Sequence, residues 1–348
     1  MTEAGLPEIQ SWDDMLSGTR TLSNRSLSLT YLPGRGGSIT GLRRIGDDTP
    51  ILWQAPWGIV PIGATRPPAT ASVTAHEMWA GGWRTLYPSS GRAITLYGAD
   101  MGYDGEACVA PYRVEEQAPD SVRLRTRLVR TPVEVIRTIT LSDPEDESGA
   151  ATVRVVETVR NVGQQAVEMM WANEIVLGEP LVGPTTTVDT GASVVRPEPD
   201  TTHSVSYDDL MPWPRSQGKG EMINLRRVPA KDAATSWQAY LSDFSEPQAE
   251  ITNHAAGLRV RLTWDGETMP YLWYQMEAGG RQDFPHYSGS YYLGLSPASA
   301  WPRQGLNDAR RISSTAQWLG AGEELTTWIE LAVSDPRSPE EIAAADQA

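Results

Sequence analysis

Apolar and polar residues alternate with a period of two in stretch after stretch of this chain. Leu258, Val260, Leu262 and Trp264 oppose Arg259, Arg261 and Thr263, while Leu325, Thr327, Ile329, Leu331 and Val333 oppose Thr326, Trp328 and Glu330. Successive side chains of a strand point to opposite faces, so each stretch reads as a half-buried antiparallel strand. Val122, Leu124, Thr126 and Leu128 oppose Arg123, Arg125 and Arg127 in the same way, and the arginine row reads as a solvated sheet face. Further strands are predicted over 25–32, 133–141, 151–160 and 166–171, the last two joined by a hairpin at Asn161–Gln164 whose Gly163 can take positive φ. Helix is expected only at the ends, at 11–18 and at 338–347. The second follows from Ser338 as N-cap, Pro339 in the first helical position and Glu340 and Glu341 in the first turn. The proline-rich stretch 196–214 reads as a long loop. The pattern predicts an all-β fold, a large antiparallel β-sandwich with short terminal helices, and residues 1–348 as a single domain.

Composition narrows the function. The net charge of −15, from 44 acidic against 29 basic side chains, repels a phosphate backbone, so no nucleic-acid partner is expected. No stretch approaches the roughly 20 apolar residues of a membrane span, so no membrane partner is expected either. The acidic opening MTEAGLPEIQSWDDM has neither a basic nor an apolar leader region, and a single cysteine, Cys108, excludes an internal disulfide. A cytoplasmic location is expected, with Cys108 as a buried small hydrophobe. The histidines His76, His203, His254 and His286 are too dispersed for a metal site, and no nucleotide-binding loop occurs, so neither metal nor cofactor is expected. The oligomeric state is not legible in the sequence.

Aromatics change the picture more. The chain has 13 Trp and 12 Tyr against 2 Phe. Both abundant types join a flat apolar face to a hydrogen-bonding edge, which suits stacking on a pyranose ring. Most such residues sit at core margins; Trp83, Trp171, Tyr274 and Trp301 are the candidates for contact with a sugar.

Three blocks carry a resemblance. GGWRTLYPSSG at Gly81–Gly91 leads into YDGEACVAPY at Tyr103–Tyr112, then comes WANEIVLGEPLVGPTTTVDTGA at Trp171–Ala192, then YYLGLSPASAWP at Tyr291–Pro302. In order and in their glycine, proline and aromatic framework they resemble the aldose 1-epimerase family, whose fold is the galactose mutarotase-like supersandwich. The resemblance implies a small-molecule carbohydrate substrate. It also implies that three family catalytic positions are replaced: a histidine of the H-G-E turn by Asp104, the general-acid histidine by Glu174, and the glutamate base of L-G-L-E-P by Ser296.

Two readings stay open at this point. In the first, the protein is an epimerase, isomerase or lyase-type enzyme using Glu174 and Asp104 as a carboxylate pair, assisted by Glu106, His286 or Tyr274. Two carboxylates in one cleft push each other's pKa values apart, giving one protonated acid and one ionised base. In the second, catalysis is lost and the protein binds a carbohydrate. The expected substrate-binding set is Trp83, Arg84, Trp171, Asn173, Tyr274, Ser296 and Trp301.

Overall fold

The period-two pattern becomes strand wherever one face finds a core. Val133–Ser142 and Ala151–Asn161 each alternate buried and partly exposed residues almost without a break, and they pair in register from Val133 opposite Asn161 to Ser142 opposite Thr152. The computed structural model describes residues 18–61, 67–145, 149–199, 205–218 and 221–337. Its main sheet joins seventeen strands, all paired antiparallel.

Two runs of strands make up most of that sheet. The first passes from Arg113–Gln117 through Ser121–Arg127, Val133–Ser142, Ala151–Asn161, Glu324–Ser334 and Leu258–Trp264. The second passes from Tyr271–Ala278 through Tyr291–Ala298, Ala172–Leu177, Trp83–Leu86, Ser38–Arg44 and Leu27–Leu32 to Arg20–Ser23. The 19-residue strand Thr235–Asn253 belongs to both: its first seven residues pair with Tyr271–Ala278 and its last six with Leu258–Trp264. One long strand thus carries the chain from one layer of the sandwich to the other. The apolar faces of both layers share one core, including Val135, Val155, Leu262 and Ile329 from the first and Leu29, Trp83, Ile175 and Leu295 from the second.

A buried polar network ties the layers together. Arg137 Nη1 donates to Glu157 Oε1 at 2.5 Å and to Thr85 Oγ1, and the Thr85 hydroxyl donates to Glu157. The other Glu157 oxygen accepts from Trp171 Nε1 at 3.1 Å and Asn173 Nδ2 at 2.8 Å, and Asn173 Oδ1 accepts from Trp83 Nε1 at 2.7 Å. Burying an ion pair is costly unless hydrogen bonds offset the lost hydration, and on the Glu157 side Thr85, Trp171 and Asn173 supply them.

The structure corrects some local expectations. Ala151–Asn161 and the segment after the Asn161–Gln164 turn do not form a hairpin: both edges of Ala151–Asn161 are taken, by Val133–Ser142 and Glu324–Ser334, and Val167–Met169 pairs with Gln317–Leu319 instead. Gly163 is not among the positive-φ glycines; it is held tightly against Pro132. Helix also occurs inside the chain, at Ala71–Met78 and at Leu306–Asp308 running into Ala309–Ser313. Ala71–Met78 starts where the Thr70 side chain accepts from Val73 N, and it buries no residue completely, so it shows no apolar stripe for sequence reading to catch. The helices expected at 11–18 and 338–347 lie outside the described residues, apart from Gly18. Among the described residues no helix is long and apolar enough to cross a membrane.

Candidate functional site

The site begins with a register pair. Arg84 and Glu174 stand opposite each other on the antiparallel strands Trp83–Leu86 and Ala172–Leu177, which places both side chains on the face turned away from the core. Arg84 Nε donates to Glu174 Oε2 at 2.6 Å and its Nη2 to Asp104 Oδ2 at 2.7 Å. Asp104 gets there by a tight turn in which it and Gly105 both take positive φ, 65° and 80°. Asp tolerates that conformation, whereas position 105 needs glycine because a Cβ would lie 2.6 Å from the carbonyl oxygens of both Tyr87 and Ser89. The turn is clamped to Gly91, whose N–H donates to Asp104 Oδ1 at 2.8 Å and whose carbonyl accepts from Asp104 N at 3.0 Å.

Arg303 closes the cluster. Its Nη2 donates to Glu174 Oε1 at 3.1 Å and its Nη1 to Gln275 Oε1 at 2.5 Å. Its backbone is held on both sides, the N–H by Tyr240 Oη at 3.2 Å and the carbonyl by Ser90 Oγ at 2.7 Å. Tyr240 in turn donates to the buried carboxylate of Glu198, which also accepts from Tyr207 at 2.9 Å. The stretch expected only to be a long loop therefore anchors the Arg303 segment from behind.

Above the cluster opens a cavity of about 660 Å³, within the usual range for small-molecule sites. Arg84, Asp104, Glu174, Gln275 and Arg303 lie at its base, and Trp79, Tyr103, Gln238, His286 and Tyr292 are among its walls. Burial alone would raise the Glu174 pKa, but the charges and hydrogen bonds of Arg84 and Arg303 outweigh it and hold the carboxyl below its ordinary range. Burial likewise opposes the charge on Arg84, and Glu174 and Asp104 more than restore it. Burial, with the charge of Arg281 adding to it, pushes His286 down to about 4, so its imidazole is neutral at pH 7. Arg281 Nη1 donates to His286 Nε2 at 3.4 Å, which assigns the ring proton to Nδ1, 2.8 Å from Ser290 Oγ. Burial raises Tyr103, which stays protonated. Cys108 is buried, with its thiol pushed up to about 12 by burial.

Of the residues singled out from the sequence, Arg84, Asp104, Glu174 and His286 meet around this cavity. The expected splitting of the carboxylates into acid and base is corrected for Glu174: a guanidinium lies between it and Asp104, and Arg84 and Arg303 hold Glu174 ionised. Glu106 does not reach the cavity, because it accepts from the N–H groups of Val129 and Arg130 and faces Thr131 Oγ1 at 3.3 Å. Trp83, Trp171 and Asn173 face the core as part of the Glu157 network, on the opposite side of the strands that present Arg84 and Glu174. Tyr274 is buried and donates to Leu225 O at 3.0 Å. Ser296 is buried opposite Trp273 and does not line the cavity. Trp301 packs behind the base, 4.0 Å beneath the Arg196 guanidinium and against Tyr207 and Tyr240. Arg303, Gln275 and Tyr292 escaped sequence reading. Their only signal was position: Gln275 follows Tyr274, Arg303 follows Trp301-Pro302, and Tyr292 lies inside the third block. Among the described residues no three His, Cys, Asp or Glu side chains are grouped as metal donors.

Comparison with known proteins supports this architecture. The Slr1438 protein from Synechocystis sp. PCC 6803 is 17% identical, with a TM-score of 0.63 over 91% of this chain and 96% of that one. A galactose mutarotase related enzyme from Lactobacillus acidophilus is 12% identical, with a TM-score of 0.62 over 91% and 97%. A galactose mutarotase-like protein from Lactobacillus casei ATCC 334 is 13% identical, with a TM-score of 0.59 over 91% and 100%. At these identities the likeness is one of fold, and the fold is galactose mutarotase-like. No curated protein matches the chain. A family profile does match, over residues 18–333, and by that match the chain belongs to the family described as a domain of unknown function, DUF4432.

Proposed function

We propose that this chain is a cytoplasmic enzyme that transfers protons on a sugar or sugar-like metabolite, as an epimerase, isomerase or lyase. The observation that carries the reading is the ionised Glu174 carboxylate, buried between two guanidiniums at the base of a sugar-sized cavity. Amide, hydroxyl and imidazole groups in the walls suit a polyhydroxy ligand, and the base carries its own countercharges, which suits a neutral one. A proton leaving the substrate goes to Glu174, and the negative charge left on a substrate oxygen is stabilised by Arg84 and Arg303. Asp104 acts as a positioning residue that holds Arg84. His286, neutral and with its Nε2 accepting from Arg281, lines the cavity as a polar wall. Nucleic acid and membrane are not partners in this reading.

A second reading, carbohydrate binding without turnover, is favoured by one observation: each Glu174 oxygen already accepts a guanidinium N–H, at 2.6 and 3.1 Å. A panel of aldoses, ketoses and sugar acids, screened by ligand-induced thermal shift and by proton NMR in D₂O, separates the two. For the enzyme, at least one ligand that stabilises the protein also incorporates deuterium or changes configuration. Glu174→Gln then lowers that rate about 10²- to 10⁴-fold while binding persists. Freshly dissolved α-glucose and α-galactose are expected to mutarotate no faster than in buffer. Binding without turnover of any candidate decides for the second reading, and absence of binding overturns both.

A further inference from the structure

The mouth of the cavity differs in character from its base. The loop Gly280–Gly289 frames one side: Ser288 N donates to Arg281 O at 2.7 Å, His286 N and Tyr287 N both donate to Asp283 O at 3.0 Å, and Gly289 N donates to His286 O at 2.7 Å. These bonds give the loop a defined shape. Its His286 ring turns inward, within 6.5 Å, centroid to centroid, of Trp57, Trp79 and Tyr292. Phe284 and Tyr287 turn outward and are 40% and 69% exposed. Phe284 lies edge-on to Tyr287 at 6.4 Å and to His76 at 6.3 Å, and His76 continues to Tyr103 at 5.1 Å. His76 and Tyr103 line the cavity, so the four rings form a continuous aromatic rim leading out of it.

Neither exposed ring is explained by stability. Water-exposed aromatic surface forgoes the gain of burial. Tyr287 and Ser288 also both take positive φ, 44° and 57°, a conformation that non-glycine residues other than Asn and Asp rarely adopt. Such an arrangement, continuous with a polar cavity, suits contact with an extended ligand.

Building on the reading of the cavity as a sugar site, we propose that the rim of His76, Tyr103, Phe284 and Tyr287 is a second subsite, and that the ligand has at least two linked pyranose rings. One ring occupies the polar cavity above Glu174, where amides and guanidiniums meet its hydroxyls. The next stacks its C–H face on the aromatic surface of the rim.

The test is isothermal titration of the full-length protein with glucose, galactose, cellobiose, maltose, lactose and phenyl β-glucoside. At least one disaccharide is expected to bind about tenfold more tightly than either of its component monosaccharides. Phe284→Ala and Tyr287→Asn, the latter keeping a residue suited to the left-handed backbone, are expected to erase that gain and leave monosaccharide affinity unchanged, whereas Tyr287→Phe keeps it. Equal affinity for mono- and disaccharides overturns the subsite, as does a gain that survives both ring deletions. A gain confined to phenyl β-glucoside overturns the second-sugar assignment. If the broader carbohydrate panel also gives no binding, the sugar-site reading itself falls, a result distinct from failure of the subsite.

Discussion

Glu174→Gln removes one charge and little volume from the centre of the site, and its effect on stability follows from the surrounding bonds. Wild-type Glu174 accepts from Arg84 on one oxygen and Arg303 on the other, and all three side chains are largely buried. Removing one partner of a buried ion pair costs about 3–5 kcal/mol, because the remaining charge is left without compensation. Here Arg84 keeps Asp104 and Arg303 keeps Gln275, which places the expected cost near the lower end, about 3 kcal/mol. With an unfolding entropy of about 2.1 cal/mol/K per residue, the 348-residue chain loses about 4 °C in Tm. The pH dependence has a definite sign. Glu174 has a folded pKa depressed below 4.5, so its contribution is fully present above that value and is lost as the pH falls through the folded pKa. Gln does not titrate, so the difference in Tm between wild type and variant, measured by circular dichroism, narrows as the solution is acidified below pH 4.5. A variant that melts with wild type at pH 7, or a gap that stays constant on acidification, refutes the claim that the arginines hold Glu174 ionised.

Three further outcomes are expected. Glu157→Ala strands Arg137 in the core between the layers and lowers unfolding free energy by about 3–5 kcal/mol in urea titrations, far more than an exposed control such as Glu324→Ala. His286 is neutral when folded and titrates near 6.5 when unfolded, so it contributes stability above 6.5 that is lost as pH falls toward about 4; His286→Asn flattens the Tm-versus-pH curve in that window, and an unchanged slope counts against the assignment. Turnover of any substrate identified by the screen survives exhaustive treatment with EDTA, because the site carboxylates are already engaged by guanidiniums; loss on chelation and recovery with a single divalent ion argues against that role for Glu174 and Asp104.

The strand pattern was legible in the sequence because burial on one face imposes a period of two, and the all-β sandwich follows from it. The three motif blocks were legible too, since left-handed turns such as Asp104-Gly105 and close approaches such as Gly82 to Ile39 demand particular residues locally. Side-chain facing within a block was not. Trp83 and Arg84, Asn173 and Glu174, Tyr274 and Gln275 are three adjacent pairs in which one member faces the core and the other the cavity. Aromatic residues drew attention as sugar contacts, yet tertiary packing assigned Trp83, Trp171 and Tyr274 to the interior, where each indole N–H or phenol O–H finds a buried acceptor. Protonation was equally beyond the sequence. A carboxylate pair read in isolation splits into acid and base, but Arg84 arrives from the neighbouring strand and Arg303 from the far end of the chain, and their charges keep Glu174 ionised. Local residue chemistry thus determined strands and turns, whereas the face each side chain presents and the proton it carries depended on long-range neighbours, because Coulomb and packing energies are set by distance in space and not by separation along the chain.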